Sequence, residues 1–160
     1  DNTDLKENLE GICNALVDLA KEGKTVFFPV HPRTRKALEN HGLFQNENDL
    51  PGELILAEPI AYMDMVALEN NARVIITDSG GVQKESYFFD TPCVIAREQT
   101  EWVELADTEW NVLAGADQQK ITSSVSDFWD KKLEKTGEPL FGNGDAAVKL
   151  AQLVKHVLMK

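Results

Sequence analysis

The sequence predicts an α/β protein, a Rossmann-like parallel sheet with helices on both faces. Short apolar segments of strand length alternate with segments of helical period along nearly the whole chain. Such alternation implies parallel strands joined by crossover helices. Glycine and asparagine punctuate the ends of the helical segments, as chain reversal requires. The 160 residues suffice for one domain with a core of its own.

The elements follow in order. Leu5, Leu9, Ile12, Leu16 and Leu19 recur at spacings of four and three, so they form one apolar stripe on a helix that stops near Gly23. Strand TVFFPV follows, then a helix from about Thr34 that closes at Gly42. Asn46–Gly52 reads as polar loop and LILA at Leu54–Ala57 as the next buried strand. Helix Tyr62–Asn70, strand Arg73–Thr77, helix Val82–Phe89 and strand Cys93–Ala96 continue the pattern. A short strand Asn111–Leu113, a helix Gln118–Trp129 and a final helix Asp145–Leu158 complete it. Lys131–Asp145 carries KTGEPLFGNGD, rich in Gly, Pro and charge, and reads as a connection.

Composition narrows the function classes. The 27 acidic against 16 basic residues give a net charge of −11, which argues against nucleic acid or an anionic membrane surface as partner. No apolar run approaches the ~20 residues that span a bilayer, and the first residues carry no signal-peptide pattern. Cys13 and Cys93 read as small core residues of a reduced, cytoplasmic protein, with no metal-ligand spacing near either. Neither a metal nor a cofactor is expected.

The chemistry concentrates in Val74–Glu85, VIITDSGGVQKE, where Ser79-Gly80-Gly81 joins a strand to a helix. The first N–H groups of a helix lack intrahelical partners and sit at the positive end of its dipole. Glycines there let a phosphate approach the backbone with no Cβ in the way. Plain strand-to-helix turns also use such glycines, so both readings stand on the pair alone. In open sheets ligands gather at the carboxyl ends of the strands. His31, Glu58-Pro59, Ser79-Gly80-Gly81 and Arg97 each lie just past a predicted strand, hence on one rim. His31, Arg33, Arg35, Lys36 and Arg97 could supply a local cationic site, although charges scattered through a loop and a helix more often form just a solvated face. His31 precedes Pro32, which holds it in extended backbone; alone, it fits a structural or a functional role.

VFFPVHPRTRKAL at Val26–Leu38, LAEPIAY at Leu56–Tyr62, TDSGGVQKES at Thr77–Ser86 and PCVIAREQTEWVE at Pro92–Glu104 come in a telling order. From about Asn2 to Leu158 the chain resembles the carboxy-terminal half of non-hydrolysing UDP-N-acetylglucosamine 2-epimerases. That resemblance implies one half of a glycosyltransferase-B-like fold, with UDP-GlcNAc or UDP bound between two domains. Such enzymes eliminate UDP to leave a 2-acetamidoglucal, then add UDP back with C2 inverted, giving UDP-ManNAc for polysaccharide biosynthesis. The amino-terminal domain, which carries most carboxylates near C2, lies outside this chain, and so, by the match of Asp1–Asp4 to the ENTD after a strand, does the first strand of this domain. The fragment alone is expected to be inactive and the full-length enzyme a homo-oligomer.

The resemblance also implies residue roles. Ser79, Gly80 and Gly81 match the diphosphate triplet, and Glu85 the ribose contact one turn into the helix. His31 matches the residue near the phosphates and sugar, a proton donor to the leaving group, with Arg33 beside it as a further substrate-binding residue and Arg97 retained near the phosphates. Glu58–Met65 matches the uracil site: backbone near Ile60 reads the base edge and Met65, where many members are aromatic, covers its face. Tyr62 is read as structural. Lys84 stands where many members have a carboxylate and is read as surface variation, while Trp102 replaces an Arg near the phosphates. A hydrolysing epimerase or a UDP-sugar glycosyltransferase shares the SGG and the Glu; a stand-alone nucleotide-sugar-binding module is the non-enzymatic alternative.

Overall fold

A computed structural model describes residues 2–46, 49–106, 108–131, 133 and 139–159. A short 3-10 turn, Asn2–Asp4, leads into α1 (Lys6–Lys21), followed by β1 (Val26–Pro29), α2 (Pro32–His41), β2 (Leu54–Ala57) and α3 (Tyr62–Asn71). Then come β3 (Ile75–Thr77), α4 (Gly80–Phe88), β4 (Cys93–Ile95), α5 (Val103–Ala106), β5 (Asn111–Leu113), α6 (Gln118–Trp129) and α7 (Ala146–Leu158). Every strand pairing is parallel: Pro29 pairs with Ala57, and Thr77 with Ile95.

The stripe predicted on α1 is buried at Leu9, Ile12, Leu16 and Leu19, while Leu5, just before the helix, is exposed. Ile12, Ala15 and Leu19 pack with Val94, Ile121, Val125 and Phe128, so α1 and α6 cover one face over β4. Leu16 and Ala20 pack with Leu54, and Val26, Phe28 and Ile76 join them. One apolar core therefore reaches from β1 and β2 to β3 under a single helix. At about 25 cal/mol per Å² of apolar surface removed from water, such burial is the main force holding the layers together. Both cysteines are free and buried, and burial pushes each thiol up to about 12.

Two features depart from the expected sheet. The strands form two ladders, β1-β2 and β3-β4-β5, rather than one sheet. Each ladder edge needs a hydrogen-bonding neighbour, and among the described residues no strand joins β1 to β3. The second departure is α7: every side chain from Ala146 to Leu158 is exposed, with Leu150, Leu153 and Val157 all above 59%. The helix itself forms as the sequence predicts, but none of its side chains is buried against the sheet. Much of the predicted connection, Lys132 and Glu134–Glu138, lies outside the described residues.

Helix starts shift by two residues where caps decide them. Helix α2 begins at Pro32 because Pro suits the first helical position and His31 caps the helix. It ends on Gly42 at φ 71°, a left-handed conformation that glycine adopts without a Cβ penalty. Helix α4 begins at Gly80 rather than Val82, so both glycines are helical.

Candidate functional site

The start of α4 lacks a side-chain cap. Ser79 occupies the N-cap position, yet its side chain caps no N–H; its own backbone N–H donates to Thr77 Oγ1 at 3.0 Å. Among the described residues, no hydrogen bond engages the N–H groups of Gly80, Gly81 and Val82. The starts of α2 and α6, by contrast, are closed by His31 and by Asp117, which accepts from the Lys120 N–H at 2.9 Å. Three unengaged donors at a helix N-terminus attract a negatively charged oxygen ligand.

The reason for glycine differs between the two positions. A Cβ on Gly81 would meet only Ser79 Oγ, at an ordinary 3.8 Å. A Cβ on Gly80 would lie 2.1 Å from Glu101 Oε1. Glu101 thus lies against the mouth of α4, held by Arg97 Nη1 at 3.0 Å. Gln83, fully buried, accepts from Thr100 Oγ1, and Trp102 Nε1 donates to the Gly80 carbonyl at 2.8 Å. These bonds fasten the segment after β4 onto α4.

The reading of Lys84 as mere surface variation is corrected by geometry. Its Nζ lies 3.6 Å from the centre of the Trp102 ring and 4.6 Å from that of Phe141, a cation–π arrangement. The two departures at 84 and 102 are in contact. A cation absent at 102 is therefore present a few ångströms away, carried by α4.

Glu85 is half-buried one turn into α4, and Tyr62 OH donates to its Oε1 at 3.0 Å. Tyr62 is 67% exposed, so it is no core residue; its hydroxyl is held by Glu85, and that bond raises its pKa. Behind Glu85 stands Glu69, only 2% exposed, which sequence reasoning passed over. Neither of its carboxyl oxygens meets a donor. Burial first, and then the charge of the neighbouring Glu85, push Glu69 up to about 7. A glutamate amid polar neighbours on a helix carries no sequence signal of burial; only the flanking packing of α3 on α4 exposes it.

His31 sits just past the end of β1 as expected, Arg33 and Arg35 lie in α2, Ile60 lies between β2 and α3, and Met65 lies in α3. His31 is exposed, and its Nδ1 accepts from the Arg33 N–H at 3.2 Å. A ring that accepts at Nδ1 presents its Nε2 outward. Arg33 binds Asp4 through Nε at 3.0 Å and through Nη2, and this bonding holds the Asp4 carboxyl below its usual range. Arg35 pairs with Glu58 at 3.1 Å. Ile60 and Met65 are half-buried, and the Ile60 backbone N–H and C=O carry no hydrogen bond among the described residues. No group of three or more His, Cys, Asp or Glu able to hold a metal occurs among the described residues, and no described helix is long and apolar enough to cross a membrane.

Comparison with known proteins places this geometry in context. A family model described as UDP-N-acetylglucosamine 2-epimerase matches residues 1–155. A UDP-N-acetylglucosamine 2-epimerase homolog of Methanococcus maripaludis is 44% identical over 157 residues, covering 98% of this chain and 42% of the relative. The UDP-2,3-diacetamido-2,3-dideoxy-D-glucuronate 2-epimerase of Pseudomonas aeruginosa is 38% identical over 152 residues, 95% of this chain and 41% of that protein. The UDP-GlcNAc 2-epimerase of Methanocaldococcus jannaschii, solved in complex with UDP-GlcNAc and UDP, superposes with a TM-score of 0.84 at 31% identity, over 97% of this chain and 42% of that one. The chain spans about two fifths of the length of the relatives it matches.

Proposed function

The chain belongs to the UDP-N-acetylglucosamine 2-epimerase family, and from that membership we propose that it is the UDP-binding half of a two-domain epimerase interconverting UDP-GlcNAc and UDP-ManNAc. The observation that carries the reading is the uncapped start of α4, where three N–H groups and two glycines await an anion. In this reading Ser79, Gly80 and Gly81 hold the diphosphate, Glu85 accepts from a ribose hydroxyl, and the Ile60 backbone reads the uracil edge beside Met65. Arg97 exchanges Glu101 for phosphate oxygens. Arg33 holds the backbone after His31 in place.

The chemistry follows from what the site stabilises. A base removes the C2 proton while the C1–O bond breaks, UDP leaves with the bonding electrons, and a glycal remains. Re-addition of UDP to C1 with a proton delivered to the other face of C2 gives the epimer. The C2–H bond is weakly acidic, so the developing diphosphate charge must be stabilised strongly, the task of α4 and Arg97. His31, with Nε2 outward, is the proton donor to the leaving oxygen. The acid/base carboxylates at C2 belong to the other domain.

The separation of the strands into two parallel ladders supports a reading in which a further parallel strand joins them in the full-length fold. The two buried free cysteines accord with a cytoplasmic enzyme. Homo-oligomerisation is expected of the full-length protein and is checked by sedimentation.

The 38% identical relative favours a second reading, a UDP-diacetamidouronate as the natural substrate. Product analysis of the full-length protein with both sugars separates the two. Calorimetry on this chain should register weak UDP binding that falls as salt rises, without epimerisation. Sustained conversion of UDP-GlcNAc by the purified chain would overturn the two-domain reading, and absence of any UDP binding would overturn the site.

A further inference from the structure

We propose that Glu69 is a positioning residue for Glu85: it holds the proton that joins the two carboxyl groups and so orients Glu85 toward the ribose. The inference rests on the reading of Glu85 as the ribose contact and adds a residue and a pH dependence to it.

Glu69 comes from α3 and is 2% exposed, while Glu85 comes from α4 and is half-buried. Both oxygens of Glu69 are shielded from solvent and meet no donor, and the polar group they face is the carboxyl of Glu85. Two carboxylates at such a contact repel one another, and neither can be solvated on the side they share. One proton removes the conflict and converts the contact into a charge-assisted O–H···O bond. It resides on Glu69, the buried member of the pair, whose oxygens meet no donor, whereas Glu85 accepts from the Tyr62 hydroxyl.

No cation among the described residues contributes to the shift of Glu69. The charged or titratable groups acting on Glu69 are Glu85 from α4, with Tyr62 on α3 and Cys93 on β4 within electrostatic reach. Thr91 Oγ1 donates to the Glu69 backbone carbonyl at 3.0 Å and fixes the helix end, leaving the side chain unaided. Glu85 is thereby gripped between Tyr62 and protonated Glu69, with lone pairs left for a ribose hydroxyl. Burial raises Glu69 to about 7, so the grip loosens as pH rises through neutrality.

Two measurements test this. Calorimetry with UDP compares the chain with Glu69→Gln, whose amide donates at every pH. The two should bind equally at pH 6, and at pH 8.5 the wild type should be weaker by on the order of tenfold, the loss of one charged hydrogen bond. Carboxyl NMR of the ligand-free chain should find Glu69 titrating near neutrality, and moving down in Glu85→Gln. Parallel pH profiles for wild type and Glu69→Gln would overturn the positioning role. Titration of Glu69 in the ordinary carboxylate range would overturn the shared proton, whatever UDP does. Glu85→Ala tests the underlying reading separately: an equal loss of affinity for UDP and for pyrophosphate would overturn the ribose assignment of Glu85, whatever the pH profiles show.

Discussion

Replacing Gly81 by Ala separates what the fold requires from what a ligand requires. The new Cβ meets only Ser79 Oγ at 3.8 Å, and Gly81 does not lie in the left-handed region, so the free protein has room for it. Removing glycine flexibility from a helix gains up to about 1 kcal/mol. For 160 residues that is a rise of roughly 2–4 °C in Tm. The same methyl stands over the N–H groups of α4, where a phosphate oxygen must come within ~2.9 Å of nitrogen. UDP and pyrophosphate should therefore both bind at least tenfold more weakly, and Gly81→Val worse still. Gly11→Ala serves as the opposite case: its Cβ would lie 2.1 Å from the Ala116 carbonyl oxygen, where α1 meets the lead into α6. That variant should lose about 1–3 kcal/mol through overpacking, with ligand affinity unchanged in the folded fraction. Thermal melts and calorimetry on both variants decide the matter. A Gly81→Ala protein that is no less stable and binds pyrophosphate like the wild type would remove the start of α4 as the anion site.

Other perturbations test other contacts. His31→Asn keeps a side-chain acceptor for the Arg33 N–H, so urea unfolding should match wild type, whereas His31→Ala should lose about 1 kcal/mol; in the full-length enzyme both should lower turnover strongly, and normal turnover with an unchanged pH profile in His31→Asn would leave only the cap. Glu69, raised from an ordinary 4.5 to about 7, keeps a proton that the unfolded chain releases, so it costs stability as pH rises through that window and adds no further change above it. The loss amounts to roughly 3 kcal/mol, and Glu69→Gln should remove it in urea titrations at pH 5 and 7.5. A double-mutant cycle of Lys84→Met and Trp102→Leu should show coupling of about 0.5–1 kcal/mol, and Trp102→Arg alone should destabilise by setting a second cation beside Lys84, with Lys84→Glu restoring the loss.

The order and type of the elements are written locally. The four-and-three spacing of Leu9, Ile12, Leu16 and Leu19 specifies a one-faced helix wherever it occurs, and LILA and NVL were legible to the residue as strands. Ser79-Gly80-Gly81 marks a strand-to-helix turn, although the helix starts at Gly80 rather than at the Val82 read from the sequence, with no side-chain cap to fix it. The same locality limits what sequence alone determines, because a side chain's partner is a matter of where two distant segments meet. Arg33, Arg35 and Arg97 read as open cations, and each is engaged by a carboxylate, Asp4, Glu58 or Glu101, brought near by folding. Lys84 and Trp102 look like separate departures until α4 and the segment after β4 stack them. Glu69 offers no pattern to read, for a single Glu on a helix is ordinarily solvated. Only the packing of α3 on α4 buries it against Glu85, and there the removal of water, rather than the residue type, decides that one carboxyl group keeps its proton.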